Sequence, residues 1–346
     1  MNDSVSWNSI SISPQGDKVA FWIVRQSIHC RGIVMNVSDH RVEAVVEGSL
    51  IPSPIGWSHE GRGAFAQPNR MEGRLTDWQL NIIAAPHYDI VKTFDIRTAV
   101  SSVHWLGEDK LGLVIPSESV DTADERDLYK FDLQILDVDT GEISSTLAVG
   151  NVSEPVAAVR DGEIWCQRNM PSGSTVYSVT GDRCVWSASR QRCLDSIVDI
   201  DHEGRFLLLH THTNPLSVVW ELMKFPRRAG CLLPALRRRI AVPTSMSLVD
   251  GVSGKQLWRT PSGQILNAAF GYDGTIGASV VLGRNSYGIA EYDTSSGLET
   301  IIEKYDSPVF VFGKAASGWI SGKSERSVIV TGKSGTENLY PLTAAA

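Results

Sequence analysis

The sequence is poor in the features that mark a membrane protein, a secreted disulfide scaffold or a disordered chain. No run approaches the roughly 18 to 20 consecutive apolar residues of a membrane-spanning helix, and the opening MNDSVSWNSI has neither the basic nor the apolar stretch of a secretion signal. A cytoplasmic chain without a transmembrane segment is the expectation. Five cysteines, Cys30, Cys166, Cys184, Cys193 and Cys231, form an odd set without CxxC spacing, which argues against a disulfide framework and a structural zinc site. Positive charge is in deficit, with 32 Lys and Arg against 39 Asp and Glu and a net charge of −7, so no nucleic-acid partner is expected. Helix signals are scarce: the one candidate, ELMKFPRRAGCLLPALRRRI at 221–240, is interrupted by Pro226 and Pro234.

What remains is a globular mixture of 346 residues, 42% apolar, with thirty Gly and ten Trp, enough to bury a sizeable core. Short β-rich runs punctuated by Gly, Asp and Asn recur as hairpins. The first type of hairpin occurs at 9–22, 55–66, 103–115, 157–166, 198–209, 268–280 and 311–322. Its turn glycines are Gly16, Gly61, Gly107, Gly162, Gly204, Gly274 and Gly318, separated by 45, 46, 55, 42, 70 and 44 residues. A second hairpin follows each, at 34–46, 81–94, 135–147, 176–186, 247–258, 289–302 and 328–342. Four strands repeated with this period predict an all-β fold, a single seven-bladed β-propeller over 1–346, because each blade has two apolar faces that only its neighbours can cover. The strand Trp and Phe residues are then packing between blades rather than a cofactor box, and no cofactor is expected. The 70-residue interval places an insertion at about 223–243 in blade 5.

The hairpin ISPQGDKVAFW (12–22) resembles the SPDGxxIAF strand-turn-strand of TolB-type propellers, a pattern shared with the propeller domain of prolyl oligopeptidase-family peptidases. Pro14 fixes φ and Gly16 and Asp17 accommodate the turn. Blades 2 and 5 keep weaker versions, SHEGR and DHEGR, and blade 7 departs from it. The segment AFWIVRQSIHCRGIVMNVSD (20–39) also resembles the opening blade of lasso-peptide isopeptidases, members of that peptidase family. The register places the first strand of blade 1 at the beginning of the chain and the fourth strand of blade 7 near Leu339–Leu342. That implies a ring closed by packing alone, as in prolyl oligopeptidase propellers, rather than by an exchanged strand as in WD-repeat propellers.

In that family the catalytic serine lies in a separate α/β-hydrolase domain, on an elbow flanked by Gly. No such domain is present in the sequence. Gly283-Arg-Asn-Ser286-Tyr-Gly288 resembles the elbow but is one residue out of register and joins two strands. Gly322-Lys323-Ser324 and Gly332-Lys333-Ser334 resemble the end of a phosphate loop, but Ser317 and Ser327 stand where its first Gly belongs, and neither leads into a helix. Asp137-Val-Asp139-Thr-Gly141-Glu142 resembles part of a calcium loop without its remaining ligands. His210 and His212 share one strand face, the spacing of a metal-ligand pair, but a hydrogen-bonded or solvated pair is the better expectation. His59-Glu60 and His202-Glu203 lack the second His of a helical zinc motif. No metal is expected.

Propeller topology puts the connections between second and third strands on the face that also carries the blade-to-blade connections. These connections carry Arg25, Arg31, Arg70, Arg74, Arg126, Arg168, Arg227, Arg228, Arg237, Arg238, Arg239, Arg284 and Arg326, thirteen of the 22 arginines, with the blade 3 loop ESVDTADERD (118–127) as an acidic break. Guanidinium forks bind carboxylates and phosphates in pairs of hydrogen bonds. This rim therefore predicts a protein or peptide partner of anionic character. A weaker alternative lays the insertion at 223–243 on an anionic membrane surface. The leading expectation is a non-catalytic binding or scaffolding propeller, since no reactive constellation is found. The alternative is the substrate-gating propeller of a prolyl oligopeptidase-like serine peptidase, such as a lasso-peptide isopeptidase, without its hydrolase domain. A third class, catalysis by residues lining the central channel, cannot be assigned to positions by sequence.

Overall fold

The computed structural model describes residues 4–25, 29–49, 52–68, 78–116, 131–147, 152–159, 162–170, 173–187, 194–211, 245–261, 264–283, 285–324, 327–332 and 335–341. Within them the chain forms seven four-stranded antiparallel sheets and no α-helix, each sheet built from four consecutive strands. The blades span 4–49, 56–96, 102–147, 152–187, 194–259, 265–305 and 310–341. This is the predicted seven-bladed propeller. All seven turn glycines of the first hairpins have positive φ, from +70° at Gly16 to +150° at Gly318, a region that residues with a Cβ rarely occupy. The strand Arg205–Thr211 pairs directly with Ser245–Asp250 in blade 5, so 212–244 join two adjacent strands. The helical candidate at 221–240 and the proposed insertion at 223–243 lie outside the described residues.

Strand alternation explains the ring. In Lys18–Arg25, residues Val19, Phe21 and Ile23 point to one face of blade 1 and enter a cluster with Ala315, Ile320, Val328, Val330 and Leu339 of blade 7. Their neighbours Ala20 and Trp22 point to the other face and enter a cluster with Ile55, Phe65 and Ile83 of blade 2. The pattern repeats at every seam. Blades 2 and 3 share a cluster, as do 3 and 4, 4 and 5, 5 and 6, and 6 and 7. Trp22, Trp319, Phe21, Phe65 and Phe206 are fully buried in these seams, the packing role expected of them.

Blade 1 and blade 7 share no strand. The ring is closed by their common apolar cluster, but packing does not act alone as the sequence suggests. The Ala316 amide donates to the Gly16 carbonyl at 2.7 Å, joining the first hairpin turns of the two blades. His40 Nε2 also lies 3.7 Å from a Glu337 carboxylate oxygen.

Candidate functional site

The first strand of each blade lies innermost: Ser4–Ile12, Gly56–Trp57, Ser102–Trp105, Val152–Ala158, Leu194–Ile200, Ile265–Phe270 and Phe310–Ala315. Together the seven blades enclose a central cavity of about 1020 Å³. In five blades the pairing of first with second strand slips, at Ser6/Ser11, Ser153/Val156, Ile197/Asp199, Ile265/Asn267 and Val311/Gly313. Such bulges bend a strand and re-aim its side chains. The cavity wall carries both apolar and polar side chains.

Several of those groups tie neighbouring blades together around the cavity. Trp57 Nε1 donates to Ser11 Oγ at 3.0 Å, and Trp105 Nε1 donates to the Gly56 carbonyl at 3.2 Å. The Asn267 side chain donates from Nδ2 to the Val311 carbonyl at 2.6 Å, and its Oδ1 accepts the Val311 amide at 3.1 Å. Asp199 Oδ2 accepts the Phe270 amide of blade 6 at 2.8 Å, while Oδ1 accepts the amide of Ile200 at 2.9 Å. The Asp199 side chain meets the cavity interior yet is enclosed by the blades, and this burial raises its pKa to about 6, against the two amides that favour the charged form. Asp201 adds to the rise, but its own carboxylate is paired with Arg205 at 2.6 Å.

His104 is the remaining titratable side chain on the wall, and its Nε2 lies 2.9 Å from Ser102 Oγ. That is the separation of a nucleophile and its base, but Ser102 is only 2% exposed and gives a substrate no access to the hydroxyl. A smaller cavity of about 210 Å³ adjoins the channel at the hairpin-turn face, walled by Pro14, Phe270, Tyr272, Phe312 and Lys314. Lys314 is already committed there, to Asp273 at 2.9 Å and Glu291 at 3.0 Å. Burial pulls its pKa down, but these hydrogen bonds and charges outweigh that and hold it above the ordinary lysine value.

No family model matches the sequence, and no curated protein matches it. Solved structures do. The propeller domain of the trilobed protease from Pyrococcus furiosus superimposes with a TM-score of 0.61 at 12% identity, over 100% of this chain and 99% of that one. The acylaminoacyl peptidase of Pyrococcus horikoshii gives a TM-score of 0.62 at 12% identity over 98% of this chain. The chain is similar to peptidase propellers. It spans only 52% of the acylaminoacyl peptidase, about half its length. The trilobed protease domain is described as having an open velcro topology; in this chain each sheet uses four consecutive strands and blades 1 and 7 share none. A propeller in a mitotic checkpoint complex is also similar, with a TM-score of 0.53 at 12% identity over 97% of this chain and 90% of that one. At such identities the shared property is the fold.

The residues singled out from sequence meet varied fates in this propeller. Arg31 is exposed and paired with Glu47 at 3.1 Å. Arg25 closes the strand Lys18–Arg25 and Arg168 lies in Ile164–Met170, while their side chains lie outside the described residues. Arg70, Arg74, Arg126, Arg227, Arg228, Arg237, Arg238, Arg239, Arg284 and Arg326 also lie outside them, so no convergence of the rim is described. His210 is buried with Nε2 2.8 Å from Ser247 Oγ, and His212 lies outside the described residues. Among the described residues no group of three or more His, Cys, Asp or Glu is placed to hold a metal. Asp137 caps a turn, accepting the amides of Asp139 at 3.0 Å and Thr140 at 2.8 Å. Ser286 opens the strand Ser286–Tyr292, and Gly322 to Ser324 end the strand Gly318–Ser324. Lys333 and Ser334 lie outside the described residues.

Sequence reasoning did not single out Asp199, His104 or Asn267. A signal was present for Asp199: an acid inside IVDI, next to the DHEGR turn, interrupts an apolar run of the first strand. Its meaning depends on a one-residue bulge that local pattern does not reveal.

Proposed function

We propose that the chain is a non-catalytic propeller that binds a peptide or protein segment in its central channel. The observation that carries this reading is the cavity of about 1020 Å³ walled by all seven blades, at the upper end of the roughly 300–1,000 Å³ usual for ligand pockets. Its wall mixes apolar side chains with a few fixed polar groups, the composition of a recognition site. Other propellers of this fold, such as the one in the mitotic checkpoint complex, belong to protein assemblies, which is consistent with a partner here. Ile10 lines the cavity and is only partly buried, so Ile10→Trp adds bulk to the lumen. Peptides selected from a displayed library on the full chain should lose affinity for Ile10→Trp. Selected peptides that bind both proteins equally would place recognition elsewhere. The arginine connections support a separate, anionic contact; replacing Arg227, Arg228, Arg237, Arg238 and Arg239 with Gln should flatten the salt dependence of partner binding.

A second reading, gating of a serine peptidase, draws support from the strand-free closure and the similarity to two peptidases. It requires a Gly-flanked serine elbow with its Asp and His, encoded in the same or an adjoining reading frame. Genomic neighbours without such a hydrolase would remove this reading.

A further inference from the structure

We infer that the segment bound in the channel presents a positive charge, an arginine side chain, to the carboxylate of Asp199. This rests on the channel reading above and names its ligand chemistry. Among the described residues that line the cavity, Asp199 carries the one carboxylate and there is no Lys or Arg. A carboxylate offers about four acceptor positions, and the contacts described for Asp199 are two backbone amides, from Ile200 and Phe270. Among the described residues, the charged group that acts on it is Asp201, itself an acid.

Three described cations near the first-hairpin turns are engaged elsewhere. Arg205 holds Asp201 at 2.6 Å, Arg62 holds Glu108 at 3.2 Å, and Lys314 holds Asp273 and Glu291. Among the described residues none is left to compensate Asp199, which leaves that role to a ligand, and an enclosed carboxylate gains more from a cation than an exposed one. With a pKa of about 6 the group is mostly ionised at neutral pH and available for such a pair. Trp57 of blade 2 and Phe312 of blade 7 line the same cavity, and aromatic faces favour a planar guanidinium over an ammonium. No third ligand completes a metal site among the described residues.

The test is calorimetric titration of the full chain at pH 7.5 with two blocked tripeptides, Gly-Arg-Gly and its neutral isostere Gly-citrulline-Gly. The arginine peptide should bind roughly tenfold or more tightly. Asp199→Asn should bind the two alike, and Ile10→Trp should weaken both. Equal binding of the two peptides by the unaltered chain, or a preference that persists in Asp199→Asn, overturns the charge assignment and leaves the channel reading standing. Binding of neither peptide overturns both. If Asp199→Asn fails to fold, carbon NMR of the unaltered chain decides. The Asp199 carboxyl resonance should move with the arginine peptide and not with the citrulline peptide, and equal shifts or none would overturn the inference.

Discussion

At the scale of the residue, the seams depend on large rings lying directly on glycines. A Cβ added at Gly277 would sit 2.4 to 2.6 Å from three ring atoms of Trp319, which is 1% exposed and fixed by Nε1 donating to Glu291 at 3.1 Å. The ring has no free volume into which to move, so Gly277→Ala should cost about 1–3 kcal/mol by overpacking, read as a lowered urea midpoint; an unchanged midpoint would show that the seam yields. Asp199 makes the opposite kind of statement, about protons. Its folded pKa of about 6 lies above the ordinary 3.8, so the native state binds a proton more tightly than the unfolded chain does. Its contribution is therefore most favourable below pH 3.8 and is lost as pH rises through about 6. The difference approaches about 3 kcal/mol. The unaltered chain should gain stability relative to Asp199→Asn as pH falls from 7 to about 4, measured by urea titration at each pH. A constant gap would mean that Asp199 titrates as an ordinary surface acid.

At the scale of the element, the second hairpin of several blades is held by a carboxylate in its turn. Asp137, Asp250 and Asp293 each accept turn amides through Oδ1, Asp293 from Ser295 at 3.1 Å and Ser296 at 2.8 Å. The hydroxyls of Ser253, Ser295 and Ser296, together with these amides and Thr140, favour the charged form and hold all three groups below the ordinary carboxylate value. For these groups the sign reverses relative to Asp199: their contribution is present above the unfolded value of 3.8 and is lost as pH falls through the folded value. Asp293→Ala should therefore lower stability at pH 7, and the gap to the unaltered chain should close in acid below pH 3.8. A gap that stays open in acid would assign the turn's stability to the backbone rather than to the carboxylate.

At the scale of the molecule, the seam between blades 1 and 7 differs from the other six. The chain links the blades across every other seam; across this one, among the described residues, run the apolar cluster, the Ala316 to Gly16 hydrogen bond and the His40 to Glu337 contact. Ile320→Ala, at a fully buried position in that cluster, should cost about 2–5 kcal/mol. Because opening this seam breaks no covalent connection, amide exchange should accelerate in blades 1 and 7 while blades 3 to 5 keep their protection. Uniform loss of protection around the ring would show that closure is no weaker than the other seams.

The blade count, the turn positions and the inward role of the aromatics were legible in the sequence because they follow from local rules. Glycine is needed where φ is positive, strand faces alternate with period two, and a sheet with two apolar faces needs two neighbours. Val19 and Trp22 go to opposite seams for that reason, and the pattern is visible in KVAFWIVR. The cavity wall followed no such rule. Asp199, His104 and Asn267 are about 60 to 160 residues apart along the chain; only closure of the ring puts them on one wall, and only a bulge decides which side chain beside Asp199 meets the lumen. The same limit applies to the rim arginines, whose sequence positions specify a loop without specifying a direction. Repetition along the chain therefore determined the architecture. The meeting of distant inner strands around an axis, a long-range event, decided which side chains line the cavity.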